Sequence, residues 1–260
     1  MPSPLDPAWL LHRRPYGDSG FLAELLTLSS GRVGVVVRGA RRKQRGGSLT
    51  GLLQPFSPLL IEFSGRGDLK TLRKVEAAGA RISLAGRRVF SGLYLNELLS
   101  NCLPRFEPTP ELFSAYGELL GSLKQSEDID ALRRFEFLLL ETMGYGISFT
   151  VDAHGEGILA SERYRFDPGQ GFLRRHFRQA EGDHEYGVLS FKGSSLQLLQ
   201  RWLEGDAVEG EELRLLREVT RLSFSHQLSG RSLQSRELLR QFLSSSRAQS
   251  EMGSLHQDEA

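Results

Sequence analysis

The chain has 260 residues, of which 39% are hydrophobic and 25% charged, a composition ordinary for a globular protein with a sizeable core. No apolar stretch approaches the roughly 18 residues that a membrane-spanning helix needs. The N-terminus lacks the basic and apolar segments of a secretory leader. A single cysteine, Cys102, excludes an intrachain disulfide and a cysteine-rich zinc site, and we expect it to pack in the core. We therefore expect a cytoplasmic protein with no metal and no cofactor.

The positive charge is concentrated at the N-terminal end, although the whole chain carries a formal net charge of only +1. Residues 1–80 contain 12 Lys and Arg against 6 Asp and Glu, whereas residues 81–260 contain 21 against 26. A basic segment of this kind indicates a polyanionic partner. Because the residue pattern also changes near residue 80, we expect more than one domain.

The first 80 residues predict five short strands, because partly alternating apolar residues are separated there by turn-forming residues. In the third strand, Val33, Val35 and Val37 fall on one face, and Arg32 and Arg38 fall on the other. One face should therefore lie in a core and the other in water. Five strands with one long polar connection predict a small OB-type barrel. The predicted strands are Ala8–Arg14, Phe21–Thr27, Arg32–Arg38, Pro58–Ser64 and Leu69–Ala77.

After about residue 87 the apolar period changes from two to about 3.6 residues, which is typical of helices. We expect a helical body over residues 81–146 and 193–243, interrupted at 147–192 by a small β insertion with a short hairpin around Asp167–Gly171. Residues 244–260 hold few large apolar side chains, so we expect a disordered tail there. The predicted fold class is α+β: a five-stranded OB barrel followed by an all-helical body with a small β insertion.

The strongest local feature is the run Arg38-Gly39-Ala40-Arg41-Arg42-Lys43-Gln44-Arg45, with five cations in eight positions. Such a segment can follow a phosphate backbone and release its counterions, so we interpret the run as nucleic-acid-binding; the alternative is an ordinary solvated charge run. The cations near the fifth strand extend the same path or are ordinary surface charge. The candidate DNA-binding residues are Arg32, Arg38, Arg41, Arg42, Lys43, Arg45, Arg66, Lys70, Arg73 and Lys74.

The pattern favours phosphate contact over base stacking and over catalysis. Of the N-terminal aromatic residues, only Tyr16, in a turn, is predicted to be exposed as a stacking platform. The Gly65–Thr71 segment lacks the glycine that a phosphate loop needs before its lysine, because Leu69 stands there. The six histidines include no pair at i, i+4 spacing. We therefore expect no enzymatic activity.

Several stretches resemble the RecO family of bacterial recombination and repair proteins, in its proteobacterial type. They include LQPFSPLLIEFSGRGDLKTLRKVE from Leu53, SGLYLNELLS from Ser91, LRRFEFLLLETMGYG from Leu132 and SRELLRQF from Ser235. The similarity runs in consistent order over about residues 8–243, which is far more than one motif.

The resemblance implies a non-enzymatic mediator of recombinational DNA repair. Members of the family bind single- and double-stranded DNA, anneal complementary strands and contact the acidic C-terminal tail of single-strand DNA-binding protein. With RecR they help to load RecA onto coated DNA. The resemblance places Arg133, and less firmly Arg134, in the tail-binding pocket. It implies a protein that is monomeric on its own, independent of membranes and located at the nucleoid during repair. Some relatives carry a four-cysteine zinc knuckle, which this chain lacks.

Rival readings remain open at this point. A generic OB-fold protein for single-stranded nucleic acid would share the basic run but ignore the tail of single-strand DNA-binding protein. A pure adaptor would bind that tail and be indifferent to Arg41, Arg42 and Lys43. An unrecognised hydrolase is a third possibility, but it has no catalytic constellation to support it.

Replacing Arg41, Arg42 and Lys43 with alanine should weaken binding to single-stranded DNA, because fewer phosphates are neutralised. The slope of log affinity against log salt concentration should shrink by about 0.7 for each lost contact. Titration of a labelled oligonucleotide over a salt series measures this slope. An unchanged slope would show that the run does not touch phosphate.

Overall fold

The computed structural model describes residues 5–39, 43–44, 47–175 and 190–255, with residues 43–44, 47–48 and 245–255 described by their backbone only. The chain divides into two compact units. The first unit comprises Met1–Glu127 together with Ser232–Ala260, and the second comprises Asp128–Arg231.

The first unit is built on a closed five-stranded barrel with the strand order β1-β2-β3-β7-β6. All neighbouring pairs are antiparallel except β3 and β7, which are parallel. This is the topology of an OB barrel, so the predicted fold and its five strands are confirmed. The strands and the short elements of the long connection are β1 (Asp6–Tyr16), β2 (Gly20–Thr27), β3 (Gly31–Val37), β4 (Lys43–Gln44), β5 (Gly47–Ser48), α1 (Leu49–Leu52), β6 (Pro58–Ser64) and β7 (Leu69–Ala77).

Alternation along the strands fills the barrel. Val33 and Val35 are fully buried and Val37 is 1% exposed, whereas Arg38 is exposed. Leu25 of β2 and Ile61 of β6 are also fully buried in this core. The predicted inward face of β3 is therefore confirmed, whereas on the other face Arg38 is exposed but Arg32 is only 16% exposed.

Three helices complete the first unit: α2 (Arg87–Cys102), α3 (Pro110–Gln125) and α7 (Gln234–Leu255). The buried Asn96 of α2 donates its amide to the carbonyl of Leu11 at 3.0 Å and accepts the hydroxyl of Tyr116. The Glu97 carboxylate accepts the backbone N–H and the hydroxyl of Ser235 at the start of α7. These bonds tie the helices to β1 and to one another.

This packing groups residues differently from the predicted domain boundaries. The barrel does end at Ala77, close to the predicted boundary at residue 80. However, α2, α3 and α7 belong to the same compact unit as the barrel. The backbone of α7 also continues to Leu255, where the sequence predicted a disordered tail from residue 244. Alanine, glutamine, glutamate, methionine and leucine in this stretch all favour a helix, a propensity that counting large apolar residues overlooks.

The second unit consists of helices around a small three-stranded sheet with the order β10-β8-β9. The predicted hairpin is confirmed as β8 and β9, and Asp167 accepts the N–H of Gly169 at 2.9 Å in its turn. Phe149, Phe191 and Trp202 are fully buried in its core. The elements are α4 (Ile129–Thr142), β8 (Arg163–Asp167), β9 (Gly171–Arg174), β10 (Ser190–Lys192), α5 (Gly193–Leu203) and α6 (Glu211–Gln227).

Two glycines of β3 let the segment after α2, residues 103–107, lie directly against the strand. Gly31 has φ +68°, and a Cβ built on it would lie 2.1 Å from the carbonyl oxygen of Glu107. A Cβ on Gly34 would lie 2.2 Å from Nη1 of Arg105. The N–H of Phe106 donates to the carbonyl of Arg32 at 3.1 Å. At Gly31 the obstructing atom belongs to the backbone, so only glycine fits there; at Gly34 it is the end of the Arg105 side chain, which an added Cβ would push away from the strand.

Gly31→Ala should destabilise the protein by at least about 2 kcal/mol, because alanine meets both an unfavourable positive φ and a backbone oxygen. Gly121→Ala is the matched control, since Gly121 lies on an exposed face of α3 and its Cβ would meet nothing within 4 Å. The control should stabilise α3 by roughly 0.5–1 kcal/mol. Urea unfolding measures both changes, and equal stability of the two variants would contradict the close-approach account.

Candidate nucleic-acid interface

The outward faces of β2 and β3 form a surface bounded by two turns. Phe21 pairs with Val37, which places the turn at residues 17–19 beside the C-terminal end of β3. The parallel pairing of Gly34 with Leu69 places the turn at residues 65–68 toward the N-terminal end of β3. In OB barrels, this strand pair and these two turns line the nucleic-acid groove. We call the outward residues of β2 and β3, with the two turns, the β2–β3 face.

Arg32 is held inside the protein at the edge of this face. Its Nη1 lies 3.2 Å from Oε2 of Glu24, and its Nε donates to the carbonyl of Leu103 at 2.8 Å. The side chain is 16% exposed. Burial lowers the pKa of Arg32 and the neighbouring Arg105 lowers it too, whereas Glu24 raises it. Arg32 therefore fastens β3 to Glu24 and to the segment after α2.

Arg105 lies on the same face, although the sequence pattern did not single it out. Its guanidinium rests on the backbone of Gly34, pairs with the carboxylate of Glu24, and donates to the carbonyl of Asp68 at 3.4 Å. The side chain is 32% exposed. Arg105 is a single cation after a helix, so no local sequence pattern predicted it as a site residue. The one available signal was the pair of glycines within β3, which is typical of a close backbone approach.

The cations of the second turn and of β7 extend the face, because β7 lies beside β3. Arg66 and Arg73 are exposed, and Arg73 donates to the hydroxyl of Ser64. Lys70 lies over the ring of Phe106, 4.7 Å from its centroid. Lys74 pairs with Glu76 at 2.7 Å, which raises the pKa of Lys74. Arg66 and Arg73 therefore present the most accessible charge here.

At the other end of the face, Arg38 is exposed directly after β3. Tyr16 is 51% exposed beside the first turn, so its predicted exposure is confirmed. Arg41, Arg42 and Arg45 lie outside the described residues, and Lys43 is described by its backbone only.

Cys102, near Arg32, is a partly buried thiol. Burial raises its pKa to about 11, so it is protonated at neutral pH and a poor nucleophile. Within the described part of the chain, no group of three His, Cys, Asp or Glu side chains is placed to hold a metal ion.

The two arginines of α4 in the second unit have different surroundings. Arg133 pairs with the fully buried carboxylate of Glu136 and donates to the hydroxyl of Thr220 at 3.1 Å, and its side chain is 11% exposed. Arg134 is 36% exposed, pairs with Asp130 at 2.8 Å and lies 4.7 Å from the ring centroid of Trp202.

Arg134 also donates to the backbone carbonyls of Trp202 and Asp206, at 2.8 and 3.1 Å. The guanidinium therefore joins the end of α5 to α4. This role in the packing of the second unit accounts for an arginine at position 134.

Comparison with known proteins assigns the family. Residues 1–81 match the family model described as "Recombination protein O N terminal", and residues 84–237 match "Recombination protein O C terminal". The DNA repair protein RecO of Methylococcus capsulatus is 42% identical over 240 residues, which cover 91% of this chain and 93% of that protein. The DNA repair protein RecO of Alkalilimnicola ehrlichii is 41% identical over 244 residues, covering 94% of each chain.

A third relative, the DNA repair protein RecO of Shigella flexneri, is 39% identical over 239 residues, covering 91% of this chain and 93% of that protein. None of the helices in the described residues has the length and apolar character needed to cross a membrane. The two family models and the three relatives show that the chain belongs to the RecO family, whose members are DNA repair and recombination proteins and not enzymes.

Proposed function

We propose that the protein binds single- and double-stranded DNA and acts as a mediator of recombinational repair. In this role it anneals complementary strands and, with RecR, helps to load RecA onto DNA coated by single-strand DNA-binding protein. The observation that supports this proposal best is the β2–β3 face, the surface with which OB barrels hold nucleic acid, because cations from separate parts of the chain border it here. Arg38, Arg66 and Arg73 are exposed, and the side chain of Arg105 is 32% exposed.

The physical basis of annealing is neutralisation of charge. Two complementary strands repel each other through their phosphates, and a cationic surface lowers that repulsion without breaking a bond. Exposed side chains such as Arg66 and Arg73 are suited to this, since they can meet a phosphate without giving up an internal ion pair. Contacts of this kind carry no sequence information, so little sequence preference is expected.

Removing charge from this face should slow annealing. In the Arg66→Ala/Arg73→Ala variant, the salt slope of single-strand binding should fall by about 1.4, or about 0.7 for each lost contact. Annealing of complementary oligonucleotides coated with single-strand DNA-binding protein, followed by fluorescence quenching without nucleotide, should slow in parallel.

The matched control is Arg214→Ala/Arg240→Ala, which removes two arginines from exposed helical ion pairs with Glu211 and Glu237. It should leave both measurements unchanged. If both double variants lost binding and annealing equally, the effect would come from the overall charge of the protein and not from the β2–β3 face. If the wild-type protein binds naked strands but does not accelerate annealing of coated strands, the generic OB-fold alternative replaces the mediator.

The tail of single-strand DNA-binding protein is proposed to bind the second unit at Arg133. The tail is acidic, and a cation on a largely apolar helix suits the capture of an acidic peptide. Glu136 partly neutralises Arg133 and is itself fully buried. Arg133→Ala alone would leave that carboxylate without its arginine, at a cost of about 3–5 kcal/mol. Tail binding could therefore be lost in the single variant either because the protein unfolds or because the peptide is no longer recognised, and the measurement would not separate the two causes.

The double variant Arg133→Met/Glu136→Gln separates the two effects, because it keeps the side-chain volumes and removes both charges together. It should fold, bind naked DNA as the wild type does, and lose affinity for a tail peptide about tenfold, the loss expected for one charge-assisted contact. Fluorescence anisotropy with a labelled peptide measures this affinity. Unchanged peptide binding would remove Arg133 from the proposed pocket.

A further inference from the structure

We propose that Arg105 is a central phosphate-binding residue of the β2–β3 face and that Glu24 is the internal anion that a DNA phosphate displaces from it. This inference rests on the proposed function, because it specifies how the same face would hold DNA.

The position of Arg105 supports the first part. Its guanidinium lies over Gly34 in the middle of β3, between the turn at residues 17–19 and the turn at residues 65–68. Gly34 has no side chain to lift the guanidinium from the sheet, so the group lies close to the β3 backbone, where the strands of an OB barrel hold nucleic acid. A phosphate that follows the groove from one turn to the other would pass over Arg105.

The charges around Glu24 support the second part. One carboxylate serves two arginines, Arg32 and Arg105, so this cluster keeps a net positive charge. Arg32 is further held by the carbonyl of Leu103 and is 16% exposed, whereas Arg105 is 32% exposed. The other protein contact of Arg105, to the carbonyl of Asp68, is long at 3.4 Å. Arg105 is therefore the member of the cluster that can exchange its partner.

The exchange is chemically balanced. Arg105 donates from Nη2 to Oε1 of Glu24, and a phosphate oxygen can accept that charge-assisted hydrogen bond in place of the carboxylate. In the free protein, Glu24 satisfies a guanidinium that would otherwise attract any anion. When DNA binds, the displaced carboxylate lowers the affinity. Glu24 thus makes the face bind DNA more weakly than its arginines alone would.

The test compares four proteins in single-strand binding over a salt series: the wild type, Arg105→Ala, Glu24→Gln and the double variant. Arg105→Ala should weaken binding about tenfold and reduce the salt slope by about 0.7. Glu24→Gln should tighten binding several-fold and steepen the slope. The tightening should vanish in the Arg105→Ala background, because it acts through Arg105.

The exposed pair Arg240 and Glu237 supplies matched controls. Arg240→Ala and Glu237→Gln make the same charge changes on α7 and should leave DNA affinity nearly unchanged. Arg105→Lys, which keeps the charge but loses the paired geometry, should bind with intermediate affinity. Thermal unfolding confirms that each variant is folded under the conditions of the assay.

Wild-type affinity in Arg105→Ala would overturn the inference. Equal tightening by Glu24→Gln with and without Arg105 would also overturn it, because Glu24 would then act only through the general field. If the wild-type protein itself fails to bind DNA, the proposed function fails instead, so the two failures are distinguishable.

Discussion

The close approach of the segment after α2 to strand β3 is the constraint on which the β2–β3 face depends. Gly31 admits the backbone of Glu107, and Gly34 admits the guanidinium of Arg105. The hydrogen bond from Phe106 to Arg32 lies on the part of β3 before its pairing with β7 begins at Gly34. The segment therefore protects a strand edge that would otherwise be open, and it brings a cation onto the barrel.

The barrel is consequently part of a larger unit. The N-terminal family match ends at residue 81, yet Arg105 of the β2–β3 face belongs to the C-terminal match. Polar bonds hold the arrangement: buried bonds of Asn96 join α2 to β1 and α3, and partly buried bonds from the start of α7 reach Glu97 of α2. An unpaired amide or carboxylate in these places would be costly, so the helices and the barrel are expected to unfold together.

Local patterning predicted most of the elements, and it failed where distant residues meet. Alternation in β3 and the Asp167–Gly171 turn are local signals, and both predicted the structure. The grouping of α7 with α2 depends on contacts far apart in sequence, which periodicity does not contain. Periodicity is equally silent about the partners of single residues. Arg32 lies on the outward face of β3 as predicted, but it pairs with Glu24 and donates to the carbonyl of Leu103.

Arg105 was missed for this reason too, because only the folded chain brings it to Gly34. In the second unit, the motif around Arg133 marked a cation on an apolar helix but not the buried Glu136 beside it. In both places the pairing of charges, which depends on the folded chain, decides how far each cation is exposed.

The central claim, that the β2–β3 face holds DNA, is tested most directly by hydrogen–deuterium exchange with and without a single-stranded oligonucleotide. The account predicts slower exchange in β2, in β3, in the turn at residues 65–68 and in the segment around Arg105, with α6 unchanged. The protection should diminish as salt is raised. Protection confined to the second unit, with the barrel unchanged, would contradict the account.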